Sequence, residues 1–424
     1  MATSLFGCEI LLAIFKYSLA WKFLAALART CKHFYEPAMD LLWAEMHGIV
    51  QMLGCVTRLY PIIYPNSKLP WPSQGIEPLS EHEARQFLRH ASRVRSLRVE
   101  HSEHFHLLAN LPTDTCVFPN LLSLFFIADE SHARYLNIFL SPTLRRFKLS
   151  VIHPDFKYIA TPFAALKHLT IESRWSLDED NLSLLSNSVR LCKQLATLSC
   201  PPLDWAAWKQ ISNIPTLLTV KISNPFKTFH LPLVWNVHDF ASFRNLTGLF
   251  FDVNTAGYTI AVEQLCRALV QCEANQSLEH IEMTSFSQRM KPLKTVMVIT
   301  QFFCFTQLQT LRLDFDYCCF KLDNNCLLEA VESWPHIRSL ELVDLVTRPT
   351  VTFRGLFTAL PRCPNLLSLD MPVDAVKIDI DPTTESFQHT TLESLNLARS
   401  SVGDAEAVAR IIFFMSPRRH YHTV

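Results

Sequence analysis

The chain has 424 residues, 49% of them hydrophobic and 18% charged, enough to bury a large core and too apolar for global disorder. Lysine plus arginine equals aspartate plus glutamate at 39 each, so no net charge draws the chain to nucleic acid or to an anionic membrane. Its 8 glycines form no GxG, GxxxxGK or GxSxG, which disfavours nucleotide chemistry and serine hydrolysis; no cofactor is expected.

The 13 cysteines include no CxxC and read as small buried hydrophobes in a reducing compartment, cytoplasmic or nuclear. The apolar N-terminus lacks a basic leader and is interrupted by Glu9, Lys16 and Lys22, so it does not read as a signal peptide. No run of 18 apolar residues occurs, and no spanning helix is expected.

Residues 1–47 read as a small helical module. Glu9-Ile10-Leu11-Leu12-Ala13-Ile14-Phe15 opens it, and Leu24, Leu27, Ala28 and Cys31 form an apolar stripe in the segment Phe23-Leu24-Ala25-Ala26-Leu27-Ala28-Arg29-Thr30-Cys31-Lys32-His33-Phe34. Leu41-Leu42-Trp43 closes it. So short a helical unit cannot build a robust core alone and needs a partner surface. These segments are similar to the F-box, a helical motif that docks on the Skp adaptor of cullin-RING ubiquitin ligases. The resemblance implies adaptor contacts at Ile10, Leu11, Ile14, Phe15, Leu24, Leu27, Ala28, Cys31 and Trp43. The overall pattern looks most like the F-box sets of mushroom-forming fungi. The chain departs from the family at Phe6-Gly7-Cys8-Glu9, where Leu-Pro-x-Glu is usual and proline would pre-set the first helical turn. The alternative is that the segment only caps the repeat array that follows.

Residues 48–79 hold Pro61, Pro65, Pro70, Pro72 and Pro78 and read as a semi-rigid linker, or as a long loop packed on the first repeat.

From residue 80 to 415 the pattern LxxLxL, with apolar substitutes, recurs twelve times. It starts at Val94, Leu121, Leu144, Leu166, Leu195, Leu217, Leu246, Leu278, Leu308, Ile337, Leu366 and Leu392, at intervals of 22 to 32 residues. The last two apolar positions of each unit share one face of a short strand, and the residue between them points to the other. That middle residue is polar in ten of the twelve units, so one face is core and the other is wet. Between the strands, Asp178–Lys193 and Ala261–Ala274 carry helical spacing, and Ser80 with Glu83 makes a capping box. The array resembles the leucine-rich-repeat family. It lacks most of the family's Asn or Cys after the strand, with Ser102, Asp129 and Ile152 at the first three such positions. The expected fold is therefore α/β: a helical F-box-like module followed by an irregular, curved leucine-rich-repeat solenoid with a parallel sheet on its concave face.

The middle positions also suggest where a target protein sits. They are basic early (Arg98, Lys148, Lys221) and mainly acidic late (Glu282, Glu341, Asp370), with Arg312 breaking the trend. Phe125 and Phe250 stand where polar residues are the rule, and exposed aromatics anchor interfaces. The expected target surface is Arg98, Phe125, Lys148, Lys221, Phe250, Glu282 and Arg312, unless helices or loops cover both rings.

His101, His104 and His106 cluster without the fixed extra ligands a metal needs, so no metal site is expected. Asp178-Glu179-Asp180 reads as a helix start rather than a paired-carboxylate site, and Arg418-Arg419 is too short for nucleic acid. Residues 416–424 carry no further LxxLxL and read as a frayed tail. The best reading is a non-catalytic recruiting subunit of a ubiquitin ligase. The rival is a repeat scaffold unrelated to ubiquitin.

Overall fold

The computed structural model describes residues 10–15, 21–64, 75–100, 104–111, 116–127, 135–150, 165–172, 179–201, 203–224, 243–253, 270, 276–285, 295–297, 299–315, 318–320, 322–344, 348–381, 389–397 and 399–415. The expected tail, His101 and most of Ala261–Ala274 lie outside them. The chain divides into two compact units, Met1–Leu195 and Ala196–Val424.

The first unit opens with helical residues 10–15 and the helices Trp21–Ala28 and Lys32–Leu42. Five strands follow, each parallel to the next: β1 (Glu45–His47), β2 (Ser96–Val99), β3 (Ser123–Phe126), β4 (Arg146–Leu149) and β5 (His168–Ile171). The second unit carries a parallel ladder of its own through β6 (Thr197–Cys200), β7 (Thr219–Asn224), β8 (Gly248–Val253), β9 (His280–Ser285), β11 (Thr310–Phe315), β13 (Ser339–Asp344), β14 (Ser368–Asp370) and β16 (Ser394–Asn396). Two short parallel pairs lie outside it: β10 (Thr295–Met297) with β12 (Cys318–Phe320), and β15 (Asp374–Ala375) with β17 (Ser401–Val402).

Every start of the LxxLxL pattern is buried, from Val94 to Leu392, and the next apolar position meets its counterpart across each pairing given above. Leu97, Leu124, Phe147 and Leu169 stack in the first unit; Leu198, Val220, Leu249, Ile281, Leu311, Leu340 and Leu369 stack in the second. A repeat cannot bury these positions alone, so burial comes from the neighbouring repeat.

Among the described residues the missing strand-end asparagines have a substitute one residue before the pattern. Asn120 Nδ2 donates to Ser92 O at 2.8 Å, Thr143 Oγ1 to Pro119 O at 3.1 Å, and Asn245 Nδ2 to Pro215 O at 2.8 Å. Ser277 Oγ donates to Leu246 O and Thr391 Oγ1 to Pro364 O, both at 2.8 Å. Each bond satisfies a carbonyl of the preceding repeat, which a turn lacking regular structure would otherwise leave orphaned.

Two expectations change. The array begins earlier than residue 80, because β1 lies inside the expected helical module and pairs with β2 through Met46 and Leu97. The first half of the expected linker is also folded. Residues 50–53 and 60–63 are helical turns, and Met52, Leu53, Val56 and Leu59 are fully buried. Pro61 sits in the first turn of its helix, where a missing N–H costs nothing, and Pro65, Pro70 and Pro72 lie outside the described residues. The capping box forms as expected, Ser80 Oγ accepting from Glu83 N and Glu83 accepting from Ser80 N at 2.9 Å. Among the described residues no helix is long and apolar enough to cross a membrane.

Candidate protein-binding surfaces

The N-terminal helices split the expected adaptor contacts into three groups. Ile10 and Ile14 are 58% and 55% exposed, and Cys31 is also exposed. Leu11, Leu24, Leu27 and Ala28 are half-buried. Phe15 and Trp43 are buried: Phe15 meets the edge of Phe34 at 5.5 Å, and Trp43 stacks on His90 at 4.4 Å. Phe15 thus ties helices of the module together, Trp43 ties the module to the helix Glu81–Ala91, and both rings are buried. The sequence missed two further residues, Trp21 and Phe23, which are 67% and 65% exposed. In Trp21–Ala28, helical spacing sets Trp21 beside Leu24 and Ala28, and Phe23 beside Leu27, so both rings flank the stripe.

The module is clamped to the first repeat. Arg93 forms ion pairs with both Glu36 and Asp40 of Lys32–Leu42, and Ala44 O accepts from Arg95 N and Ser96 N at 2.9 and 2.8 Å. Burial, with Arg89 and Arg93 adding, pushes the imidazole of His90 below its ordinary value and keeps the Trp43 stack neutral.

The second surface is the open face of each ladder. In the first unit the register aligns His47, Arg98, Phe125, Lys148 and Thr170 in one row. Phe125 is half-buried because two cations cover it, the Arg98 guanidinium at 4.4 Å and Lys148 Nζ at 5.2 Å from the ring centre. Arg98 also pairs with Glu100, and Lys148 with Glu172 at 2.6 Å. In the second unit the row is Ser199, Lys221, Phe250, Glu282, Arg312, Glu341, Asp370 and Asn396. Lys221 is exposed and Phe250, Glu282 and Arg312 are half-buried. Arg312 reaches Glu341 at 3.2 Å and Asp314 at 3.6 Å. Burial first, then Asp370, Asp314 and Glu282, push the Glu341 carboxyl up against the opposing pull of Arg312.

His104 is buried and His106 half-buried. Among the described residues no group of three or more His, Cys, Asp or Glu is placed to hold a metal.

A family model described as F-box-like matches residues 8–48. Residues 8–48 are thus an F-box-like domain. No curated protein matches the sequence. Among solved structures, a leucine-rich-repeat protein of Leptospira interrogans is similar at 12% identity and a TM-score of 0.40, over 87% of this chain and 99% of that one. The functional domain of InlJ from Listeria monocytogenes, described as including a cysteine ladder, is similar at 12% identity and a TM-score of 0.33, over 80% of this chain and 66% of that one.

Proposed function

We propose that the chain is a target-recruiting subunit of a cullin-RING ubiquitin ligase, working in the cytoplasm or nucleus. The F-box-like domain docks a Skp-type adaptor, and the open face of the repeats holds a target protein. No residue of the chain performs chemistry; ubiquitin transfer belongs to the partner enzyme.

One observation carries this reading. The domain that matches the F-box-like model also exposes Ile10, Ile14, Trp21 and Phe23, each by more than half. Four large apolar side chains so close in sequence mark a surface that a partner covers. The adaptor contact then centres on Ile10, Ile14, Trp21 and Phe23, with Leu11, Leu24, Leu27 and Ala28 beneath them and Cys31 at the margin.

Co-expression with a Skp-type adaptor tests it. Ile14→Arg places an unpaired charge in the contact and abolishes co-purification, because a buried unpaired charge costs several kcal/mol. Its side chain is exposed in the free chain, so the melting temperature stays put. Adaptor retained by Ile14→Arg would overturn the docking surface. The burial of Trp43 and the pairing of β1 favour a second reading, in which the segment only caps a repeat scaffold unrelated to ubiquitin. Under it the unaltered chain carries no adaptor either.

A further inference from the structure

We propose that the cleft where the F-box-like domain runs into the first repeats takes a carboxylate of an extended acidic peptide, with Arg98 as the anchor. The proposal rests on the reading of the open face as the target surface and names the chemistry that face selects.

The cleft measures about 300 Å³ and is lined by His47, Gly48, Ile49, Val50, Arg98, Glu100 and His104. That is the small end of the range for ligand sites, roughly 300–1,000 Å³, and fits a side chain or a chain end rather than a folded surface. Ile49 gives it an apolar floor, while two imidazoles and a guanidinium–carboxylate pair supply polar walls. Gly48 turns the backbone at φ +84°, and no atom lies within 4 Å of where its Cβ would stand, so this wall is low and the cleft opens outward.

Arg98 belongs to both the cleft and the open face. Its guanidinium covers Phe125 and is paired with Glu100 two residues along the same strand. The Arg98 and Glu100 side chains are 49% and 39% exposed, so water screens their attraction and the pair is weak. Glu100 therefore occupies the guanidinium without holding it firmly. An incoming carboxylate matches the same planar fork and displaces it. The adjoining peptide then runs along the face, where a side chain packs on the half-buried ring of Phe125.

The sign of the charge follows from the arrangement. Arg98, Lys148 and the exposed Arg146 lie on the open face of β2 and β4, the first two together on Phe125. Glu100 and Glu172 follow the ends of β2 and β5. A peptide crossing the strand centres meets the cations first, so an acidic segment is drawn in and a basic one repelled.

The test titrates full-length chain against fluorescein-labelled Gly-Ser-Glu-Phe-Glu-Gly-Ser-Gly and against its twin with both glutamates replaced by lysine, read by fluorescence polarisation. The acidic probe binds at least about tenfold tighter than its twin, and Arg98→Gln weakens it by about tenfold with the melting temperature unchanged. Glu100→Gln strengthens it several-fold, because it frees the guanidinium; a merely structural role for the pair would not give that sign. No preference for the acidic probe, or weaker binding by Glu100→Gln, overturns the proposal. Acidic-probe binding that survives Arg98→Gln and is lost in Phe125→Ala overturns the cleft and leaves the open-face reading intact.

Discussion

Replacing Glu83 by glutamine removes a charge on which three contacts depend. The carboxylate accepts from Ser80 N at 2.9 Å and from Arg58 Nε and Nη2 at 2.6 and 3.1 Å, so it both caps the helix Glu81–Ala91 and ties it to the segment that precedes it. The Arg58 hydrogen bond, helped by Ser80 and opposed by burial, holds the Glu83 carboxyl down at about 2 instead of its ordinary 4.5. At 1.36 kcal/mol per pH unit that difference corresponds to roughly 3.4 kcal/mol as a ceiling. The Arg58 side chain is 39% exposed and water screens the pair, so the working figure is about 1–2 kcal/mol. Because the folded value is depressed, this stabilisation is complete above pH 4.5 and is lost as the pH falls towards 2. Amide hydrogen exchange of Glu81–Ala91 reads it directly. Glu83→Gln opens the helix more readily at pH 7 by about 1–2 kcal/mol, the gap closes near pH 2, and Arg58→Met adds little to it. A gap that persists unchanged at pH 2, or none at pH 7, would refute the reasoning and return residues 48–64 to the status of a loose linker.

Phe250→Ala should cost about 1–2 kcal/mol of stability, short of the ~3–5 of a fully buried ring, and should weaken target capture; full loss of stability with capture intact would show the ring to be core. Trp43→Ala should cost about 3–5 kcal/mol by thermal melting and weaken adaptor binding only indirectly, through the loosened module. Gly355→Ala should lower the melting temperature, because a Cβ there collides with the Asn324 carboxamide; that amide exchanges two 2.9 Å hydrogen bonds with Thr352, the cap of Phe353–Ala359. An unchanged melting temperature would show that Asn324 can swing aside.

The repeats are legible in the sequence because each unit commits three apolar residues at a fixed spacing, and parallel register carries the same positions into every neighbour. β1 is not legible. Glu45-Met46-His47 holds one buried residue, and its extended conformation is imposed by β2, some fifty residues away, which no local pattern records. The helical turns at 50–53 and 60–63 were hidden for a different reason. The prolines downstream dominate any reading of that stretch, although Met52, Leu53, Val56 and Leu59 keep helical spacing and all reach the core. The hydroxyl and amide ladder at Asn120, Thr143, Asn245, Ser277 and Thr391 escaped notice because the family places its ladder after the strand, not before the pattern.

Surfaces are harder to read than cores, since amphipathic spacing says which residues share a stripe and not which stripe a distant element covers. Ile14 and Phe15 are adjacent and equally apolar, yet Phe34 covers one and nothing described covers the other. Trp43 closes the family pattern, but His90 lies flat against it because Arg93 draws the two helices together through Glu36 and Asp40. Strand alternation does better on the open face, where parity alone brings Phe125 and Phe250 out of the core. What parity leaves open is how far each ring stays wet. For Phe125 the answer lies in residues on the strands either side, Arg98 and Lys148, whose long side chains lie over the ring and keep their charges in water. An aromatic dressed in this way is neither core nor bare surface. Under the proposed function, these covering groups are what a stronger anion pulls aside, so the cations, rather than the ring, are the first point of contact for a target.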